Sequence, residues 1–230
     1  LPREPRPRLL VFDVNETLTD LSALAPRLAH AGLPGHLLPV WFAGVLRDGV
    51  ALTLAGGDAS FADVAADGLR TLAARAGLPG DPEEAVRHVL AGLPRLPVHP
   101  DVPDGVRALR AAGYRLLTLT NGSAATTRAV LDHAGLTGHF EAHVDVTGAG
   151  RWKPAREAYA HALDTAGVPP GEALLVSVHP WDTDGAARAG LTTAWLHRTP
   201  EPYPRTAHPP DWSAAGVTDL AAQLTAAPAV

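Results

Sequence analysis

Five short apolar runs constrain this chain most: RLLVFDV (8–14), YRLLTLT (114–120), AHVDV (142–146), ALLVSV (173–178) and TTAWLH (192–197), separated by Ala-, Leu- and Arg-rich helical patterns. Strand-like runs that alternate with helices predict an α/β fold with a parallel sheet. The spacing is uneven. Between the first and second runs, 21–96 carries helical periodicity in LSALAPRLAHAG, HLLPVWFAGVLRDGVALTL, FADVAADGLRTLAARAG and PEEAVRHVLAGL. That stretch reads as a helical subdomain inserted after the first strand, which leaves 1–20 and 97–230 as the core domain. The clusters GLPGH, LAGGDAS, GLPGDP and LPRLPVHPDVP punctuate the helices and are the expected hinge positions. The late Pro-rich run HRTPEPYPRTAHPPDW reads as a surface loop, and there is no internal repeat.

Composition narrows the function. A chain of 230 residues can bury a substantial core without staples. It has no cysteine, which excludes thiol catalysis, thiolate zinc sites and disulfides and leaves the redox compartment open. Cytoplasm is the default. A net charge of −5 with 19 dispersed Lys plus Arg offers no footprint for nucleic acid, and the basic opening PREPRPR reads as a solvated tail. No uninterrupted apolar run reaches the roughly 20 residues that span a bilayer, so no membrane partner is expected.

In an open parallel sheet, ligands bind beyond the carboxyl ends of the strands, and four such ends carry chemistry here. Asp13 closes the first run, followed by Val14, Asn15 and Thr17; Thr120, Asn121 and Ser123 close the second. RWKPAREAY supplies Lys153 and Tyr159, and SVHPWDTDGAARAG supplies Ser177, His179, Trp181 and Asp182. Each is ordinary alone, since a strand-end Asp often just forms a turn and a hydroxyl often caps a helix. Their order and spacing are the specific signal. The Gly148–Gly150 run lacks the rest of a dinucleotide fingerprint, and His99, His143 and His179 have no tight metal-ligand spacing.

With Asp13, Thr17, Leu18, Asn121, Gly122, Lys153, Pro154, Tyr159, Ser177, Trp181 and Asp182 at these spacings, the chain resembles the haloacid dehalogenase superfamily, most closely its L-2-haloacid dehalogenase (type II) branch. The resemblance covers nearly the whole chain and implies a Rossmann-like core with an inserted helical cap. It implies that Asp13 attacks a halogen-bearing carbon to form an aspartyl ester, which water then hydrolyses. Lys153 would keep Asp13 ionised, Asp182 would orient Lys153 and help activate water, and Tyr159 would support the site. Thr17, Thr120 and Ser177 would offer hydroxyls to the substrate carboxylate or the ester oxyanion. Phosphatases of the superfamily usually carry a second Asp two residues after the nucleophile and hold Mg²⁺ with a further acid where this chain has Ser177-Val178. Asn15 cannot deliver a proton, and a halide needs neither protonation nor metal, so no metal and no cofactor are expected.

Two departures matter. The type II branch cradles the halide with an Arg beside the cap tryptophan, but Trp41 is followed by Phe42, and Arg47 lies about 140° around the same helix. His179 stands where the branch usually has an Asn facing the halide, and a protonated imidazole there would restore the charge. Trp41, Phe42 and Trp181 would wall the substrate pocket. The expected activity is hydrolysis of a small 2-haloalkanoic acid. A phosphatase or another small-molecule hydrolase using the same Asp is the alternative enzyme, and a degenerate member binding a small carboxylate or a protein is the non-enzymatic one. An aromatic cap surface would suit a homodimer.

Overall fold

The computed structural model describes residues 7–78 and 81–226; most of PREPRPR lies outside them. Among the described residues, six parallel strands form one sheet in the order β3-β2-β1-β4-β5-β6. They are β1 (Leu9–Phe12), β2 (Arg115–Thr120), β3 (Ala142–Asp145), β4 (Ala173–Ser177), β5 (Thr192–Leu196) and β6 (Trp212–Ala214). The five expected runs are the first five strands. The sixth lies at the end of the Pro-rich segment, where three residues are too few for a readable pattern.

Side chains alternate across the sheet and feed two apolar layers. Leu9 and Val11 face one layer with Leu117, Leu175, α7 (Arg156–Ala166) and α8 (Pro180–Ala189). Leu10 and Phe12 face the other with Leu116, Val176, α5 (Val102–Ala111) and α9 (Val217–Ala226). The remaining core helix, α6 (Ala124–His133), follows β2. The chain runs β1 to β3 in one direction and then crosses to β4 on the other side of β1. The carboxyl ends of β1 and β4 therefore border a crevice at the reversal point, where open α/β sheets bind ligands.

Between β1 and β2 the chain forms α1 (Ala25–His30), α2 (Leu38–Leu54), α3 (Phe61–Arg75) and α4 (Pro82–Leu90). Its entry and exit run side by side: Asp20 N donates to Pro97 O (2.8 Å) and His99 N to Leu18 O (2.9 Å), flanking a Thr19–Val98 antiparallel bridge. Ser60 caps α3 by accepting from Asp63 N, and Asp81 caps α4 by accepting from Glu83 N. Gly35–Leu54, 20 residues of mean hydropathy 1.4, is long and apolar enough to cross a membrane by length and composition. In this fold its Leu38, Trp41, Phe42, Val45 and Gly49 are buried. The insertion's aromatics Trp41, Phe42 and Phe61 are thus interior, contrary to an aromatic cap surface, and among the described residues the exposed large apolar ones are Val40, Leu52 and Leu54.

Candidate active site

Asp13 follows β1 directly and is buried in the crevice. Lys153 Nζ donates to Asp13 Oδ1 and to Asp182 Oδ2, both at 2.8 Å, and its side chain is fully buried. Thr17, one tight turn after Asp13, donates to its other carboxylate oxygen, Oδ2, at 2.6 Å and accepts from Val178 N at 3.1 Å. Asp182, in the first turn of α8, accepts from Tyr159 OH through Oδ1 at 2.7 Å. Asn121 brackets the lysine backbone, accepting from Lys153 N (2.8 Å) and donating to Lys153 O (3.2 Å). Residues separated by as many as 169 positions, Asp13 to Asp182, thus form one chain of charge-assisted bonds.

Burial and charge oppose each other at every member. Burial alone would push the Asp13 carboxyl up, but Lys153 and His179, with bonds from Lys153 and Thr17, hold it below the ordinary carboxylate range. Burial would lower Lys153, yet Asp13 and Asp182 outweigh it and hold the ammonium above its usual value. Asp182 goes the other way, because burial and the Asp13 charge outweigh the Lys153 ammonium and its hydrogen bonds. A strand-end carboxylate kept ionised, next to a cation already balanced by a second carboxylate, is equipped for nucleophilic attack.

Both oxygens of the fully buried Asp182 are taken by Lys153 and Tyr159. That geometry suits orientation of Lys153. Tyr159→Phe should remove the hydroxyl that donates to Oδ1 and lower stability by about 1–3 kcal/mol, the cost of an unsatisfied buried acceptor. Denaturant unfolding of the two proteins checks it; an unchanged midpoint and slope would contradict this account.

Other expected site residues are drawn into local structure. Thr120 Oγ1 accepts from Gly122 N (2.9 Å), and Ser177 Oγ accepts from His179 N (3.1 Å). Ser123 caps α6 by accepting from Thr126 N. The carbonyl of buried Val14 accepts from Leu18 N and Thr19 N, closing the turn after Asp13. Trp41 Nε1 donates to Ala65 O (3.0 Å), which ties α2 to α3. Phe42 does face the site: its ring lies 6.4 Å from that of His179, which stacks on Trp181 at 5.1 Å. Lys153 Nζ is 6.0 Å from the Trp181 ring. Arg47 is largely exposed and paired with Asp48, so it offers no replacement for a halide-binding cation.

Sequence reasoning missed Trp152 and its receptors. Trp152 N donates to Thr53 Oγ1 (3.2 Å), Trp152 Nε1 to Ala59 O (3.0 Å), and Arg151 Nη1 to Thr53 O (3.0 Å). The residue before the lysine is thereby fastened to the ends of α2 and α3. Its ring packs against Gly49, where a Cβ would come within 2.2 Å of Trp152 Cζ3. The Trp-Lys-Pro sequence was the available signal. A cavity of about 370 Å³ opens beside this contact, lined among others by Asn15, Phe61, Asn121, Ser123, Arg151 and Trp152. Also missed was Glu16, whose φ of 62° lies in the left-handed region. Its carbonyl is bonded by His99 Nε2 at 2.9 Å.

The Mg²⁺ implied by the wider superfamily does not fit these residues. Position 178 is Val, and His179 Nε2 lies 3.2 Å from Asn15 O and 3.8 Å from Asp13 Oδ2, the oxygens that would face the ion. Among the described residues no group of three or more His, Asp or Glu is placed to hold a metal.

Residues 7–190 match the model of the haloacid dehalogenase-like hydrolase family. An (S)-2-haloacid dehalogenase of Pseudomonas sp. (strain YL) is 30% identical, covering 93% of this chain and 91% of that protein. Haloacetate dehalogenase H-2 of Moraxella sp. (strain B) is 29% identical, covering 89% and 92%. The solved structure of L-2-haloacid dehalogenase from Xanthobacter autotrophicus with chloropropionic acid covalently bound superposes with a TM-score of 0.88 at 25% identity, covering 97% of this chain and all of that one.

Proposed function

The chain belongs to the haloacid dehalogenase-like hydrolases, and from that premise we propose that it hydrolyses the carbon–halogen bond of a small (S)-2-haloalkanoic acid. The observation that carries this reading is Lys153 Nζ, shared at 2.8 Å between Asp13 and Asp182. Similarity to 2-haloacid dehalogenases over most of the chain supports the substrate class.

In the first step an Asp13 carboxylate oxygen attacks the substrate's second carbon from the face opposite the halogen. The carbon–oxygen bond forms as the carbon–halogen bond breaks, and the halide leaves with the electron pair and inverted configuration at carbon. Lys153 and Thr17 hold the attacking carboxylate in place. In the second step water adds to the carbonyl carbon of the Asp13 ester. The ester bond breaks as one proton of the water passes to the departing alkoxide oxygen and the other is released to solvent, giving the 2-hydroxy acid and restoring the carboxylate. The Lys153 ammonium, no longer balanced by an ionised Asp13, stabilises the oxyanion of that addition. Asp182 and Tyr159 keep the lysine aimed throughout.

Helices α1–α4 serve in this reading as the cap, within the proposed bounds 21–96, and bring Phe42 and Phe61 over the crevice. The small carboxylate enters beside Asn15 and Asn121, where the cavity reaches the strand ends. A homodimer, if the cap supplies its face, would use Val40, Leu52 and Leu54 rather than aromatic residues.

The testing experiment is release of halide and of phosphate over a panel of 2-halo acids and phosphate esters, with Mg²⁺ and with excess chelator. Halide release should survive exhaustive chelation unchanged, since the chemistry above routes no step through a metal. Phosphate release restored only by Mg²⁺, with no halide release, would replace this reading with the phosphatase.

A further inference from the structure

The imidazole of His179 is held by packing and surrounded by oxygen. One face stacks on Trp181 at 5.1 Å and 22°, and the Phe42 ring lies 6.4 Å away. Its Nε2 lies 3.2 Å from Asn15 O, 3.7 Å from Glu16 Oε2 and 3.8 Å from Asp13 Oδ2. Two carboxylates and a carbonyl thus converge on one nitrogen, as hard oxygen ligands converge on a divalent cation. Glu16 adopts a left-handed backbone, with φ of 62°. Burial pushes the Glu16 carboxyl up, opposed by His179 and reinforced by the Asp13 charge. The expectation that His179 faces a departing halide finds Nε2 pointed at oxygens instead.

We infer that the His179 imidazole occupies a divalent-cation place beside the nucleophile, and that the chain does without a metal because an N–H donor already fills that place. An Nε2–H donor satisfies Asn15 O directly and lies close enough to both carboxylates to reduce their repulsion. Without the ring, Asp13, Glu16 and the Asn15 carbonyl would face one another across a polar gap, an arrangement that a hard cation relieves. The inference rests on the site geometry assigned to Asp13 above, and its test reads cation binding rather than turnover.

Wild type, His179→Asp and His179→Ala, each stripped with chelator and checked for native circular dichroism, are titrated with MgCl₂ and MnCl₂ by calorimetry and thermal melting. Wild type should show no saturable heat and no cation-dependent melting shift. His179→Asp should bind about tenfold or more tightly than wild type, since ligand charge count tunes such sites. Adding Glu16→Gln should reverse most of that gain. His179→Ala, which adds no ligand, should bind more weakly than His179→Asp and better than wild type, and it carries the test if His179→Asp does not fold. Saturable Mg²⁺ binding by wild type that is lost in Asp13→Asn would overturn the inference. So would folded His179 variants that bind no better than wild type. A protein that releases no halide yet gains the cation in His179→Asp would overturn the dehalogenase reading alone.

Discussion

Replacing Lys153 with Met is expected to lower turnover by about a thousandfold or more and to destabilise the fold by about 3–5 kcal/mol near neutral pH. The residue is fully buried and is the common partner of two buried carboxylates. Its loss leaves both buried charges uncompensated. The pH dependence has a definite sign. Asp13 is held below its ordinary value, so in wild type its contribution is present above the unfolded carboxylate value and is lost as pH falls through the folded one. In Lys153→Met the carboxyls lack the ammonium that lowers them and take up protons readily. The stability gap between the proteins should therefore narrow as pH falls from 7 toward about 4. Asp182, already raised by burial, shifts in the same direction when it loses its cation. Urea unfolding of both proteins across that range reads the gap. A gap that is small at pH 7, or independent of pH, would mean that the triad is not held by charge.

The second large effect is expected far from the reacting atoms, at Gly49→Val. The ideal Cβ at this position falls 2.2–2.5 Å from three ring carbons of Trp152, so the indole must move. Overpacking of this kind costs about 1–3 kcal/mol. The indole is also fastened through Nε1 to Ala59 O, while its backbone runs directly into Lys153. Displacing the ring by about an ångström should shift the lysine and lower turnover by tenfold to about a hundredfold, more than the stability loss explains in a protein that remains folded. Trp152→Ala in the same background should restore part of the stability by removing the clash. A Gly49→Val protein with wild-type turnover would show that the Trp152 contact does not set the position of Lys153.

The parts legible in the sequence were those written in local patterns. β1 to β5 could be read because each is an apolar run bounded by turn residues, and α2, α3 and α4 because their apolar positions recur at helical spacing. Asp13 and Asp182 could be named because one follows a strand and the other begins a helix at the same edge of a parallel sheet, and Lys153 because it stands in the RWKPAREAY run before α7. The hydroxyls were harder, since Thr17, Thr120 and Ser177 have the same local signature. Of these three, only Thr17 bonds the Asp13 carboxylate, while Thr120 and Ser177 close turns. Position along the chain does not say which way such a short side chain points.

What remained illegible depends on contacts between distant segments. Trp152 meets Gly49, Thr53 and Ala59 across about a hundred residues of sequence, and nothing near the Trp-Lys-Pro run indicates its receptor. The same applies to Arg198, which donates to Asp101 Oδ1 at 2.7 Å and to Thr17 O at 2.9 Å and so ties the end of β5 to the turn after Asp13. β6 was hidden because three residues after a Pro-rich loop form too short a run. The orientation of His179 depends on rings from α2 and α8 and on the unusual backbone of Glu16, none of which a residue type predicts.

The central claim is that Asp13 itself forms the bond to carbon. Single-turnover hydrolysis of a 2-halo acid in ¹⁸O-water, with enzyme in excess, decides it by mass spectrometry of the peptide containing Asp13 and of the product. Attack by Asp13 delivers an unlabelled carboxylate oxygen to the product and leaves ¹⁸O in Asp13 after the ester is hydrolysed at its carbonyl carbon. The predicted result is a labelled Asp13 peptide and an unlabelled 2-hydroxy acid in the first turnover. A product labelled in the first turnover beside an unlabelled Asp13 would mean that water attacks carbon directly, and it would contradict the account.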